Sequence, residues 1–97
     1  MRFWPFARSE RPPVPLVLYT RAGCGLCDEM LAIIERTPLG RDHVLSQVDI
    51  TSDPELLAAW GRSIPVLSIA GRIAFKGRME PDAFRRKFAR LAREEGY

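Results

Sequence analysis

Cys24 and Cys27 are the only cysteines in the chain and bracket Gly25-Leu26. A thiol is a good nucleophile only as its thiolate, and a helix N-terminus favours that form through unsatisfied backbone N–H groups and the positive end of the helix dipole. Met30, Leu31 and Ile34 follow Cys27 at the i+3, i+4 and i+7 spacing of one helix face, so a helix is expected to open at the pair. Three positions amount to roughly one helical turn, which brings the second sulfur within reach of the first while its side chain lies on the buried face. Cys24 is therefore expected to attack a disulfide and Cys27 to resolve the product. Gly23 and Gly25 would let a bulky disulfide approach closely, and Leu26 would shape the rim. Asp28 and Glu29 favour the first helical turn but oppose a second negative charge on nearby sulfur, so only moderate stabilisation of the thiolate is expected.

A cysteine pair can also serve other chemistries. A closed zinc or iron site needs four ligands, and His43 is the one further candidate. No metal is expected from one chain; an iron–sulfur carrier would need a second copy or glutathione to complete the set. Free cysteines are often inert core residues, but two of them flanking Gly-Leu at a strand-to-helix junction read as a site. A redox-responsive interaction protein, in which oxidation changes partner affinity without turnover, is a third alternative.

The elements that would position the pair can be read along the chain. Residues 1–13 carry Pro5, Pro12 and Pro13 among charges and aromatics and are expected to form a flexible extension; the domain proper is residues 14–97. Val14 to Tyr19 is almost continuously apolar, as for a central strand buried on both faces. Thr20 to Gly23 is a loop leading to the cysteine helix, which should stop at Thr37 because Pro38 follows. Leu45, Val48 and Ile50 indicate a second strand. Asp53 can cap a second helix with Pro54 at its first position, ending at Gly61. Val66 to Ile69 and Arg72 to Lys76 should pair as a hairpin across Ala70-Gly71. Pro81 opens a last helix whose stripe of Phe84, Phe88 and Leu91 faces the core while its arginines form a solvated face. Trp60 is also expected in the core, and His43 in a surface loop without catalytic role. The order is β-α-β-α-β-β-α.

Ninety-seven residues allow one domain. Apolar runs fall far short of the ~18–20 residues of a membrane span. Arg8, Ser9, Glu10 and Arg11 interrupt the aromatic N-terminus before a signal-peptide core develops, so a cytoplasmic setting is expected. The formal net charge of +3 is a mild excess, compatible with anionic small molecules or acidic surfaces. Glu94 and Glu95 intersperse the last helix's arginines, and no base-reading motif accompanies them, so nucleic acid is not expected as a partner.

Taken together, Leu18-Tyr19-Thr20-Arg21-Ala22-Gly23-Cys24-Gly25-Leu26-Cys27, Val48-Asp49-Ile50 with Asp53-Pro54-Glu55-Leu56, and Ser63-Ile64-Pro65-Val66-Leu67 ahead of Gly71 resemble the compact, bacterial-type glutaredoxin-like proteins of the thioredoxin superfamily. The resemblance covers residues 14 to about 93. It implies an α/β thioredoxin-like fold, with a four-stranded mixed sheet flanked by helices, and a dithiol thiol–disulfide oxidoreductase. It also implies a cis proline at Pro65, beside the reactive cysteine, with the backbone of Ile64 free to pair with an extended substrate. Arg21 matches a basic residue that in the family meets a glutathione carboxylate or steadies the thiolate. Gly77 falls where family members begin to hold glutathione, but Arg78-Met79-Glu80 departs from the usual glycine-acid pattern. Leu18 stands where thioredoxins place a buried carboxylate, and Gly23 where they place a tryptophan. The expected substrates are a disulfide-containing protein or a glutathione mixed disulfide, with no bound cofactor, glutathione as a candidate co-substrate, and a monomeric chain.

Overall fold

The computed structural model describes residues 11–97. The expected extension, residues 1–13, lies outside the described residues as far as residue 10. Strand β1 (Val14–Thr20) alternates strictly, with Val14, Leu16 and Leu18 wholly buried and Pro15, Val17 and Tyr19 only partly so. The expectation of burial on both faces is thereby corrected: one face carries the core and the other is only partly covered. β2 (His43–Asp49) pairs with β1 in parallel, β3 (Val66–Ile69) pairs with β1 antiparallel, and β4 (Arg72–Lys76) pairs antiparallel with β3. The resulting mixed sheet runs β2-β1-β3-β4.

Helix α1 (Gly25–Arg36) ends where the sequence requires, with Thr37 in extended geometry before Pro38. It packs Met30 and Ile34 on the sheet face that bears Val14, Leu16, Leu18, Leu67 and Ile69. Helix α3 (Pro81–Glu94) buries Phe84, Phe88, Leu91 and Ala92 in the same cluster, so the core lies between one sheet face and two helices. Helix α2 (Pro54–Trp60) is capped by Asp53, which accepts from the backbone N–H groups of Glu55 and Leu56, yet it buries none of its side chains completely.

Three expectations about elements change. Ile50 is wholly buried but belongs to a single 3-10 turn, Ile50–Ser52, because Asp49 Oδ1 accepts from the N–H and hydroxyl of Thr51 and turns the chain out of the sheet. Trp60 is not a core residue: its ring lies half-buried beside Tyr19, on the face of β1 opposite Leu16 and Leu18, centroids 6.2 Å apart, with Lys76 Nζ 5.0 Å above it. His43 opens β2 rather than occupying a loop; its ring meets Phe88 edge-on at 6.0 Å. The hairpin turn is as short as expected, with positive φ at both Ala70 and Gly71, the geometry that matches the twist of two paired strands. Among the described residues, no helix is long and apolar enough to cross a membrane.

Candidate active site

β1 delivers the chain to the site. Beyond Thr20, Gly23 adopts φ 75°, a left-handed turn that favours glycine and reverses the backbone before Cys24. Cys24 is the N-cap of α1, with extended φ and ψ, and its sulfur accepts from the Cys27 N–H at 3.1 Å. This is the position that the side-chain oxygen of serine or aspartate ordinarily fills. The two cysteines are joined as a disulfide, their Cα atoms 5.2 Å apart. They differ sharply in access: Cys27 is 2% exposed, packed on the side of α1 that carries Met30, whereas Cys24 is only partly covered. The asymmetry expected from the helical spacing, an accessible first sulfur and a shielded second, is present.

The remaining candidate residues fall into two groups. The first comprises Pro65, Gly77, Leu26, Gly25 and Gly23. The Ile64–Pro65 peptide bond is cis, Pro65 is buried, and its carbonyl accepts from the Gly77 N–H at 2.8 Å. That bond ties the β4–α3 loop to the proline loop. Gly77 itself has φ 80°. Leu26, between the cysteines, lines a cleft of about 130 Å³ together with Met30, Ile33, Gly77 and Met79, rimmed by Glu29, Arg78 and Glu80. Arg78 reaches Glu29 at 3.7 Å across this rim. Gly25 and Gly23 have open space where a Cβ would stand, which keeps the approach to Cys24 clear.

In the second group one residue, Ile64, is placed differently from expectation. Ile64 does not present a free backbone N–H: that group donates to the Trp60 carbonyl at 3.1 Å, alongside the Ser63 N–H at 2.8 Å, because α2 closes in a tight turn directly into the proline loop. Arg21 is exposed, and its charge adds to the effects that hold the Asp49 carboxyl below the ordinary carboxylate range, the largest being the hydrogen bonds from the Thr51 hydroxyl and N–H. Leu18 is wholly buried, so hydrocarbon stands at the position where thioredoxins place a proton acceptor. Among the described residues, no group of three or more histidine, cysteine, aspartate or glutamate side chains is gathered to hold a metal.

The Cys24–Cys27 arrangement can accept and return two electrons, and the four-stranded sheet with the pair at the start of its first helix defines a thioredoxin-like α/β fold. A family model described as a glutaredoxin-like domain (DUF836) matches residues 15–89, and the chain belongs to that family. No curated protein matches it. Among solved structures it is similar to the structural-genomics target XcR50 from X. campestris, with 28% identity, TM-score 0.65, 77% of this chain and 96% of the other covered. A mutant thioredoxin from Halobacterium salinarum NRC-1 follows at 22% identity and TM-score 0.60, with 79% of this chain and 73% of the other covered. Mitochondrial thioredoxin 3 from Saccharomyces cerevisiae, in its oxidized form, gives 16% identity, TM-score 0.54 and coverage of 84% and 82%. These last two share the fold.

Proposed function

We propose that the chain is a thiol–disulfide oxidoreductase working by a dithiol mechanism. The Cys24 thiolate attacks one sulfur of a substrate disulfide, forming a mixed disulfide and expelling the other sulfur as a thiolate, which takes a proton from solvent. The Cys27 sulfur, as thiolate, then attacks Cys24, closing the Cys24–Cys27 bond and expelling the second substrate thiolate. The substrate gains two electrons and the chain loses two. Two external thiols, such as glutathione in a reducing compartment like the cytoplasm, return the pair to its reduced state.

The observation that carries the reading is the unequal pair at the helix start: a partly exposed Cys24 that receives a backbone N–H, bridged to a buried Cys27. The same N–H would bond the sulfur as thiolate, and hydrogen bonding to a charged form favours it. The test is a titration in glutathione buffers of known ratio, with thiols alkylated and counted by intact mass. A reversible two-electron change is expected, with a glutathione adduct accumulating on Cys24 in Cys27→Ser and no adduct in Cys24→Ser. Thiols that stay reduced and unmodified at every ratio would overturn the reading.

A further inference from the structure

We propose that β2 is a self-association edge: two copies of the chain pair their β2 strands antiparallel about Ser46, joining their sheets into one. The proposal is independent of the exchange chemistry. β2 lies at one end of the sheet order, and among the described residues no strand pairs with its outer side. An unpaired edge offers a row of backbone N–H and C=O groups to another chain, and folds ordinarily guard such edges with lysine, proline or a bulge. The opposite edge, β4, is guarded: Arg72 and Lys76 stand at its two ends, and its register with β3 is broken between Leu67 and Ser68. β2 lacks these devices. Its seven residues, His43–Asp49, include no lysine, arginine or proline, and they keep an unbroken register with β1 from Val14↔His43 to Thr20↔Asp49.

The strand is complementary to itself. A two-fold contact matches residue i with j and j with i, and full overlap of the seven residues centres it on Ser46. His43 then stands opposite Asp49 of the second copy, Val44 opposite its Val48, and Leu45 opposite its Gln47. Opposed residues of opposite charge, and opposed β-branched residues, are pairs that favour strand association. Both members of the His43–Asp49 pair have bonding capacity to spare. With Nδ1–H given to the Arg41 carbonyl at 3.3 Å, a protonated ring has Nε2–H to donate, and a facing carboxylate favours that form. Asp49 Oδ1 accepts from Thr51, while Oδ2 has no hydrogen-bond partner among the described residues. Val44, 50% exposed, is one of the few large apolar side chains the fold leaves open, and the contact covers it. β2 runs parallel to β1, with Asp49 beside Thr20 at the end from which the chain proceeds to Cys24. Antiparallel pairing therefore sets the two redox pairs at opposite ends of the joint. A contact that gathered two Cys24 sulfurs around a metal cluster would do the reverse.

Sedimentation velocity of the wild-type chain, over a concentration series up to about 1 mM, is expected to show a monomer–dimer equilibrium. Val44→Lys puts a cation on the joint, the guard that edge strands ordinarily carry. It is expected to move the midpoint at least about tenfold towards higher concentration, with far-UV circular dichroism unchanged. Register is read separately, by cross-linking in a Cys24→Ser/Cys27→Ser background at two positions that are both exposed in the single chain. Ser46→Cys meets its own copy across strands whose opposed Cα atoms lie ~4.5–5.5 Å apart, within disulfide reach. Gln47→Cys is displaced from its copy by two residue rises, ~7 Å along the strand, and falls outside that reach. Mild oxidation is therefore expected to link Ser46→Cys on the order of tenfold faster. A chain that stays monomeric throughout, a dimer that Val44→Lys leaves intact, or equal linking at the two positions would each overturn the proposal. Should Val44→Lys disturb the fold, the cross-linking comparison decides alone.

Discussion

At the scale of single residues, the site's chemistry was legible because it is local in sequence. A cysteine just ahead of a helical apolar pattern, with a second cysteine one turn on, fixes which sulfur is accessible, and the structure places Cys24 and Cys27 accordingly. What escaped the sequence were hydrogen bonds between residues whose geometry depends on where a turn closes. The Ile64 N–H is taken by Trp60 because α2 ends in a tight turn, which no residue type announces. Asp49 is similar: an acid two residues before a threonine is common, but here its Oδ1 receives both the Thr51 N–H at 2.9 Å and the hydroxyl at 2.7 Å. These bonds, with the nearby Arg21 charge, lower the Asp49 carboxyl below its ordinary value. A group whose folded value is depressed contributes stability that is present above its unfolded value and is lost as pH falls through the folded one. Thr51→Val, which removes the hydroxyl, is therefore expected to raise the Asp49 titration midpoint towards that of a free carboxylate and to shrink the acid-side loss of stability. Carboxyl carbon chemical shifts followed from about pH 6 downwards check it, spanning the ordinary carboxylate range; a midpoint that stays put would show that the hydroxyl is not the dominant influence.

At the scale of elements, helices were legible from their caps and stripes, while the two sheet faces were not distinguished. Pro38, Pro54 and Pro81 each mark a helix boundary because the ring restricts its own backbone and that of the residue before it, and the structure keeps all three. Ile50 misled because an apolar residue at the end of an alternating run looks like strand, whereas Asp49 turns the chain first. Trp60 misled because aromatic residues usually pack inward, whereas its ring lies beside Tyr19 on the partly covered face of the sheet. The shortness of α2, seven residues, makes it dependent on its cap. With no completely buried side chain and Leu57 40% exposed, little packing compensates for the loss of the Asp53 bonds to Glu55 and Leu56. Asp53→Ala is expected to cost about 1 kcal/mol, concentrated in α2 rather than spread through the fold. Amide hydrogen exchange should then quicken in residues 54–60 and leave α1 and α3 almost unchanged; uniform quickening across all three helices would mean that α2 is tied to the core more firmly than its burial implies.

At the scale of the whole molecule, the core lies on one side of the sheet, and the redox pair sits where that core meets solvent. Cys27 is part of the buried layer and Cys24 is at its edge, so the state of the bond between them is coupled to folding. A thermodynamic cycle makes the coupling measurable: the difference in unfolding free energy between oxidised and reduced chains equals the bias that the fold imposes on disulfide formation relative to the unfolded chain. Loop closure alone, for so short a bridge, favours the oxidised folded state by about 2 kcal/mol in the chain-entropy account. A bond maintained for exchange should be less biased than that, because the Cys27 N–H that already meets the Cys24 sulfur in the disulfide bonds a thiolate more strongly and so favours the reduced folded state. Urea unfolding of the two forms at neutral pH is expected to give a difference between zero and about 2 kcal/mol. A substantially larger difference would mean that the fold holds the bond as a structural bridge, leaving too little of the reduced form's stability for a cycle that must pass through both states.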